Sequence, residues 1–315
     1  MKTTFEAKDI RIEKVTHRKA LIPNKDLVFG KYFTDHMFLV GWDVDKGWSR
    51  PRIKPYEKLT LEPSASVFHY GFEVTFKSSE KKALSRELLK CIALLLQLDE
   101  LWIPKERGYS LYLRPTMIGT EPSLGVHAPN RVLLFVIASP VGPYYPSGFS
   151  AVSLLATQQY IRSWPNGMGD TKITEAGTMN IFLLWHNEQG QKELVTPPVS
   201  GLILPGVTRN SIIELVSSWG ADMDIQVYER EITMDEVVIA LQRGRVLEMF
   251  GSGTACIVTP IKRIGYAGHE FAVPLDPEDP SSEVGPLTKK LNENIMDIQY
   301  GVTPHRWSVN ILDYE

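Results

Sequence analysis

GMGDTKITEAGTMN, residues 167–180, sets Lys172 and Glu175 three positions apart, with Gly167 and Gly169 before them and Gly177 after. No helix-building run precedes this stretch, and the strand-like MNIFLLW follows it. Taken singly, a lysine and a glutamate are most often solvated surface residues. A lysine becomes catalytic when it is desolvated, or held beside a group that makes its neutral form useful, as in a covalent bond to a carbonyl. The neighbourhood decides between these readings. PGVTRN, residues 205–210, puts a glycine, small residues and a threonine hydroxyl just before a helical pattern, so backbone N–H groups face an anion at the helix N-terminus. FGSGTAC, residues 250–256, offers a second glycine turn of the kind that forms an anion-binding nest. Each is an ordinary turn by itself; together they supply two backbone cradles for one phosphate.

A chain of 315 residues with 43% hydrophobic content can bury a sizeable core, and this length suggests two domains. The 34 basic and 37 acidic residues nearly cancel, so no bulk field recruits nucleic acid or an anionic membrane. A small molecule or a protein is the expected partner. The two cysteines, Cys91 and Cys256, make no disulfide framework and suggest a reducing compartment. No signal or strong transit peptide is visible in MKTTFEAKDIRIEK, and the longest apolar runs, VLLFVIA at 132–138 and IALLLQL at 92–98, are too short to cross a bilayer. A soluble, cytoplasmic protein is expected, with the mitochondrial matrix as the alternative.

The pattern along the chain predicts an α+β fold. Strands are expected in MFLVGWDVDKGW, with a turn at Asp45–Gly47, and in SVFHYGFE, YSLYLRPTM and RVLLFVIA, with one helix around Arg86–Leu98. SPVGPYYPSG at 139–148 interrupts two apolar runs and marks the seam between domains. The expected organisation is a small N-terminal domain over 1–141, a linker at 142–150 and a larger domain over 151–315. After the seam come the strand SAVSLLA and a hairpin in MNIFLLWHNEQGQKELVTP turning at Asn187–Gly190. A helix near Asn210–Ser218 follows, then the capping box TMDE at 233–236, strands VLEMF and CIVTP about the GSGTA turn, and a helix near Leu287–Gln299.

In SLYLRPT, Arg114 follows Tyr112 by two residues on a strand pattern, so both side chains leave one face. That arginine is either a paired structural residue or a bidentate site for a carboxylate. Phe29, Tyr70, Tyr144 and Tyr145 add aromatic surface suited to a pocket wall or to a core. His69 reads as a satisfied histidine, because no second metal-type residue stands at ligand spacing, and no metal site is expected.

VFGKYFTDHM, EPSASVFHYGFE, SLYLRPTMIGTEPSLGV, SPVGPYY, ITEAGTMNIFLLW, TPPVSGLILPGVTR and RVLEMFGSGTAC resemble, in order, segments of the eukaryotic branched-chain amino-acid aminotransferases. The resemblance runs nearly end to end. It implies the two-domain fold type IV of the D-amino-acid-aminotransferase-like enzymes, pyridoxal 5′-phosphate as cofactor, and amino-group transfer from leucine, isoleucine or valine to 2-oxoglutarate. A homodimer is implied as well. Carried over by position, GDTK makes Lys172 the lysine that holds the cofactor covalently and Glu175 the partner of the pyridine nitrogen. Arg162, Val207, Thr208 and Thr254 match phosphate contacts. Tyr70, Arg114, Thr178 and Ala255 match substrate-holding positions, with Arg114 suited to the γ-carboxylate of glutamate. Phe29, Tyr112 and Tyr144 match the side-chain pocket, and Leu124 and Val126 the loop lent by a second subunit.

Two departures set this chain apart from the pattern. After HYGFE it passes straight to VTFKSSEKK, and after GDTK it passes straight to ITE. Each junction omits roughly thirty residues of the family, about one supersecondary unit. Lys172 and Glu175 are therefore neighbours because the unit between them is absent, which makes both domains incomplete. Three residues span about 10 Å, enough for both side chains to reach one ring, although on a strand they would face opposite sides. The alternative implied by these gaps is a truncated, non-catalytic homologue that acts as a dimerisation partner, or a splice or gene-model remnant. A D-amino-acid aminotransferase is disfavoured by the Arg114 and GSGTAC blocks.

Overall fold

The structure, a computed structural model, describes residues 4–70, 78–145, 148–157, 172–199 and 203–310. The chain forms two compact units, one holding the residues up to Pro143 together with those from Val309 on, the other Tyr144–Ser308.

The first unit is a twisted sheet built from β1 (Arg11–Ile12), β2 (His36–Asp43), β3 (Gly47–Trp48) and β4 (Arg52–Pro55), then β5 (Ser110–Gly119) and β6 (Arg131–Val141). Its strand order is β1-β4-β2-β6-β5, with β3 returning on β2 through the turn at Asp45–Gly47. Between β4 and β5 lie α1 (Val67–Tyr70) and α2 (Ser78–Leu98). Leu84, Leu88, Cys91, Ile92 and Leu95 recur at helical spacing along α2 and meet Phe38, Val40, Leu134 and Val136 in one core. Phe38 stands opposite Val136 and Val40 opposite Leu134, so the register puts all four on the face toward α2.

Three expectations need correction here. SVFHYGFE has strand composition, but Ala65 bridges Pro122 and the Ser66 N–H donates to Glu121 O, and Val67–Tyr70 form the short α1, while the rest of the stretch lies outside the described residues. The α2 helix runs from Ser78, eight residues before Arg86; its opening SSEKK is polar and carries no apolar signal, and of the added residues only Ala83 and Leu84 are apolar. Ser139–Val141 lie inside β6, paired with Tyr112, Leu111 and Ser110, so the strand continues past the start of the seam.

The second unit holds β7 (Val152–Ala156), β8 (Glu175–Ala176), β9 (Met179–His186) and β10 (Lys192–Thr196), then α3 (Val207–Met223), β11 (Gln226–Glu229) and α4 (Met234–Gln242). It ends with β12 (Val246–Gly253), β13 (Ile257–Tyr266), β14 (His269–Ala272) and α5 (Pro286–Gln299). The sheet order is β11-β10-β9-β12-β13-β14, with β7 added on β13 and β8 on β9. Alternation on the central strands sorts the side chains: Met179, Ile181, Leu183, Trp185 and Met249 pack toward α4, whereas Phe182, Leu184 and Phe250 pack toward α3 and α5. Thr233 and Glu236 close the capping box of α4 reciprocally, with Glu236 N–H donating to Thr233 Oγ1 at 3.1 Å and Thr233 N–H to Glu236 Oε2 at 3.0 Å.

Candidate functional site

In the second unit the residues singled out by sequence gather at one end of the sheet. Strands β8 and β9 join through a two-residue turn at Gly177 and Thr178, where Gly177 takes φ +64° at the first turn position, a conformation that suits glycine. The register sets Glu175 opposite Asn180 and, on the other side of β9, Ser252 opposite Asn180. Directly opposed residues leave the same face of a sheet. Glu175, Asn180 and Ser252 thus form a row on the face covered by α3.

The loop before α3 closes on that row. Leu204 N–H donates to Glu175 Oε1 at 2.9 Å, and Asn180 Nδ2 donates to Leu204 O at 2.9 Å. A Cβ on Gly206 would lie 2.3 Å from Asn180 Oδ1, so only glycine admits this approach of loop to sheet. Val207 and Thr208 are the first residues of the 17-residue α3 rather than a turn ahead of it. Their N–H groups have no intrahelical acceptor, and the helix dipole favours an anion there. Val207 is 81% exposed, so this helix end is open.

The second glycine turn completes the cluster. Gly251–Gly253 belong to β12, which moves the turn itself to Thr254–Cys256. A Cβ on Gly253 would lie 3.8 Å from Thr178 O and 3.4 Å from Cys256 Sγ, which sets the Thr178 turn beside the Thr254–Ala255 turn. Tyr144 meets Tyr145 edge-on at 4.9 Å. Burial pushes the Tyr145 hydroxyl pKa up, and the Cys256 thiol and Tyr144 add to the rise. Ser252 is 1% exposed, and its hydroxyl has no hydrogen-bond partner among the described residues.

Lys172 departs from this arrangement. It forms an isolated bridge with Thr233, Ile173 N–H donates to Ile232 O at 2.8 Å, and Lys172 Nζ lies 3.3 Å from Glu231 Oε2. Arg162 lies outside the described residues, as does the side chain of Tyr70.

The first unit holds its own group. Leu113 and Met117 pack toward α2, so Tyr112 and Arg114 occupy the opposite face of β5. Arg114 Nη2 donates to Tyr112 Oη at 2.9 Å, and Phe29 meets the Tyr112 ring edge-on at 5.1 Å. The arginine is exposed. Such a guanidinium, aimed by a phenol and flanked by an aromatic wall, suits a carboxylate carried on an apolar chain. Leu124 and Val126, at 63% and 75% exposure, project from the loop between β5 and β6.

Asn180, Ser252 and Glu231 were not singled out from sequence. Asn180 stands inside TMN and Ser252 inside GSG, but their relation depends on strand register, and Glu231 is an ordinary surface glutamate until Thr233 pairs with Lys172.

Residues 168–264 match the family model described as amino-transferase class IV. A cytosolic branched-chain-amino-acid aminotransferase of Mus musculus is 42% identical over 371 aligned positions, covering 98% of this chain and 94% of that protein. The branched-chain-amino-acid aminotransferase of Dictyostelium discoideum is 43% identical, covering 90% and 89%. A cytosolic one of Saccharomyces cerevisiae is 40% identical, covering 98% of each. The mouse alignment has 371 positions against the 315 residues of this chain, so at least 56 of them face no residue here. Among solved structures, the branched-chain amino acid aminotransferase of Escherichia coli superposes with a TM-score of 0.60 at 18% identity, covering 87% of this chain and 97% of that one, and so shares its fold.

Proposed function

The chain belongs to the branched-chain amino-acid aminotransferases, and from that membership we propose that it transfers the amino group of leucine, isoleucine or valine to 2-oxoglutarate through the end of the sheet where Glu175, α3 and the Thr254 turn meet. The family uses pyridoxal 5′-phosphate. The second unit fits such a group in its donor set: a carboxylate held in place by a backbone N–H, and an open helix N-terminus beside a glycine turn.

When bound, this cofactor supplies a protonated pyridine ring that draws off the electron pair left at the substrate α-carbon. Glu175, fixed through Leu204 N–H, would keep the proton on the ring nitrogen. The N–H groups of Val207 and Thr208, with Thr254 and Arg162, would take the phosphate. Lys172 would hold the cofactor covalently and carry the α-proton. Thr178 and Ala255 would orient the substrate carboxylate, Arg114 would take the γ-carboxylate of glutamate, and Phe29, Tyr70, Tyr112 and Tyr144 would wall the side-chain pocket. The exposed Leu124 and Val126 suit a homodimer in which each subunit lends its loop to the other. The expected substrates are small molecules, and a cytoplasmic location fits the resemblance to cytosolic relatives, with mitochondrial ones also among them.

The observation that carries this reading is the shared face of Glu175, Asn180 and the loop that opens α3. The aligned positions without counterpart support the reading that family segments are missing, and the engagement of Lys172 by Glu231 favours weak turnover. A second reading, a non-catalytic dimerisation partner, rests on that same ion pair. Glutamate formation from leucine and 2-oxoglutarate separates the two. Low but cofactor-dependent turnover, raised when the two absent segments are restored from a relative, supports the enzyme; no turnover in the original chain alongside full turnover in the restored one supports the partner.

A further inference from the structure

Resting on the placement of a phosphate at the start of α3, we propose that the Ser252 hydroxyl is a further donor to the anion bound there. Buried hydroxyls in folded proteins almost always have a partner. Ser252 Oγ is buried and has none among the described residues. Its direction follows from register: Ser252 faces Asn180 across β12 and β9, and the Asn180 amide on that face touches both Leu204 and the space beside Gly206, the residue before α3. One pair further along the same row, Phe250 and Phe182 stack at 5.1 Å within the core beneath α3 and α5, which confirms which face the row occupies. The orphaned hydroxyl and the orphaned first-turn N–H groups of α3 therefore approach one region from two elements. All are donors, and a hydroxyl rotates to suit its acceptor. A phosphate monoester, with several acceptor oxygens and a negative charge, is the ligand chemistry that answers such a set. Thr254, exposed in the following turn, serves the rim of this cradle, and Ser252 serves it from the strand beneath.

The Ser252→Ala variant tests the assignment through opposite effects on stability and binding. Deleting an unpartnered hydroxyl leaves the melting temperature of the cofactor-free protein at or above that of the parent. The dissociation constant for pyridoxal 5′-phosphate rises about 10- to 150-fold, the loss of one hydrogen bond to a charged group. Affinity for pyridoxal, which has no phosphate, stays unchanged, and stabilisation by inorganic phosphate weakens. Ser252→Cys, which retains a weak donor, falls between. The proposal is overturned by unchanged binding of both phosphate ligands, by equal losses for pyridoxal and its phosphate, or by a marked drop in the melting temperature of the cofactor-free variant. It is overturned as well if neither phosphate ligand stabilises the parent chain. Failure to trap cofactor on Lys172, with the phosphate-specific loss intact, would instead remove the lysine assignment and leave Ser252 in place.

Discussion

Lys172 Nζ lies 3.3 Å from Glu231 Oε2, while Glu175, three residues on, accepts from Leu204 N–H. The backbone explains the divergence. Ile173 packs into the core under α4, whereas Glu175 emerges on the α3 face opposite Asn180.

Borohydride reduction of the protein after incubation with pyridoxal 5′-phosphate is expected to leave the adduct on Lys172. The Glu231→Gln variant should raise the trapped fraction, and by no more than about fivefold, since a partly exposed ion pair is worth roughly 0–1 kcal/mol. Peptide mass mapping reads both, and an adduct confined to another lysine would remove Lys172 from its role.

Glu248 gives a stability prediction with a definite sign in pH. Its carboxylate caps α5, accepting from Leu287 N–H at 2.8 Å, Thr288 N–H at 2.9 Å and Thr288 Oγ1 at 2.7 Å. Burial nevertheless pushes its pKa above the ordinary 4.5, against the opposing effect of the Thr288 hydrogen bonds. A carboxyl whose folded-state pKa is raised contributes stability that is fully present below the unfolded value and is lost as pH rises through the folded value. The stability of the parent relative to Glu248→Gln should therefore decline as pH climbs from 4.5. Urea titrations across that range check it, and a relative stability that grows with pH would contradict the sign.

Asp99 is a second buried carboxylate, and its partner is His36. His36 Nε2 accepts from Val15 N–H at 3.0 Å, so Nδ1 carries the hydrogen and donates to Asp99 Oδ1 at 2.6 Å, while His36 N–H donates to Oδ2 at 3.0 Å. Asp99→Ala leaves two buried donors without an acceptor, and about 2–5 kcal/mol of destabilisation is expected from such groups. Asp99→Asn keeps one acceptor and should cost less. Equal stability of the alanine variant and the parent in urea would show that water replaces the carboxylate.

Cys256 is expected to resist oxidation to an intramolecular disulfide. Position 259, three residues after Cys256, is Thr259, so no resolving thiol stands at C-x-x-C spacing. Burial pushes the Cys256 thiol pKa up, only partly offset by its hydrogen bond with Thr259, and burial pushes Cys91 up to about 12. Few thiolates are available to react. Non-reducing peptide mapping after mild peroxide should show both cysteines unlinked; a peptide joining residue 256 to residue 91 would refute this.

Local pattern was enough for much of this protein. The hairpin of β9 and β10, the capping box at Thr233 and the C-terminal helix were legible because turn chemistry and apolar period act over a few neighbouring residues. The family resemblance, rather than local pattern, is what proposes Glu175, Thr178 and Thr254 as members of one site. What local pattern could not decide was direction and partnership. SVFHY, at the start of a stretch with strand composition, bends into α1 beside contacts of Ala65 and Ser66 with Pro122 and Glu121, more than fifty residues away in the chain. Glu175 finds its partner 29 residues on, and Ser252 faces Asn180 only through the pairing of β12 with β9. A one-residue slip in that pairing would turn Ser252 to the opposite face. Register between distant strands is a property of the packed sheet as a whole, so the hydroxyl beneath α3 and the ion pair that draws Lys172 aside belong to the tertiary structure alone.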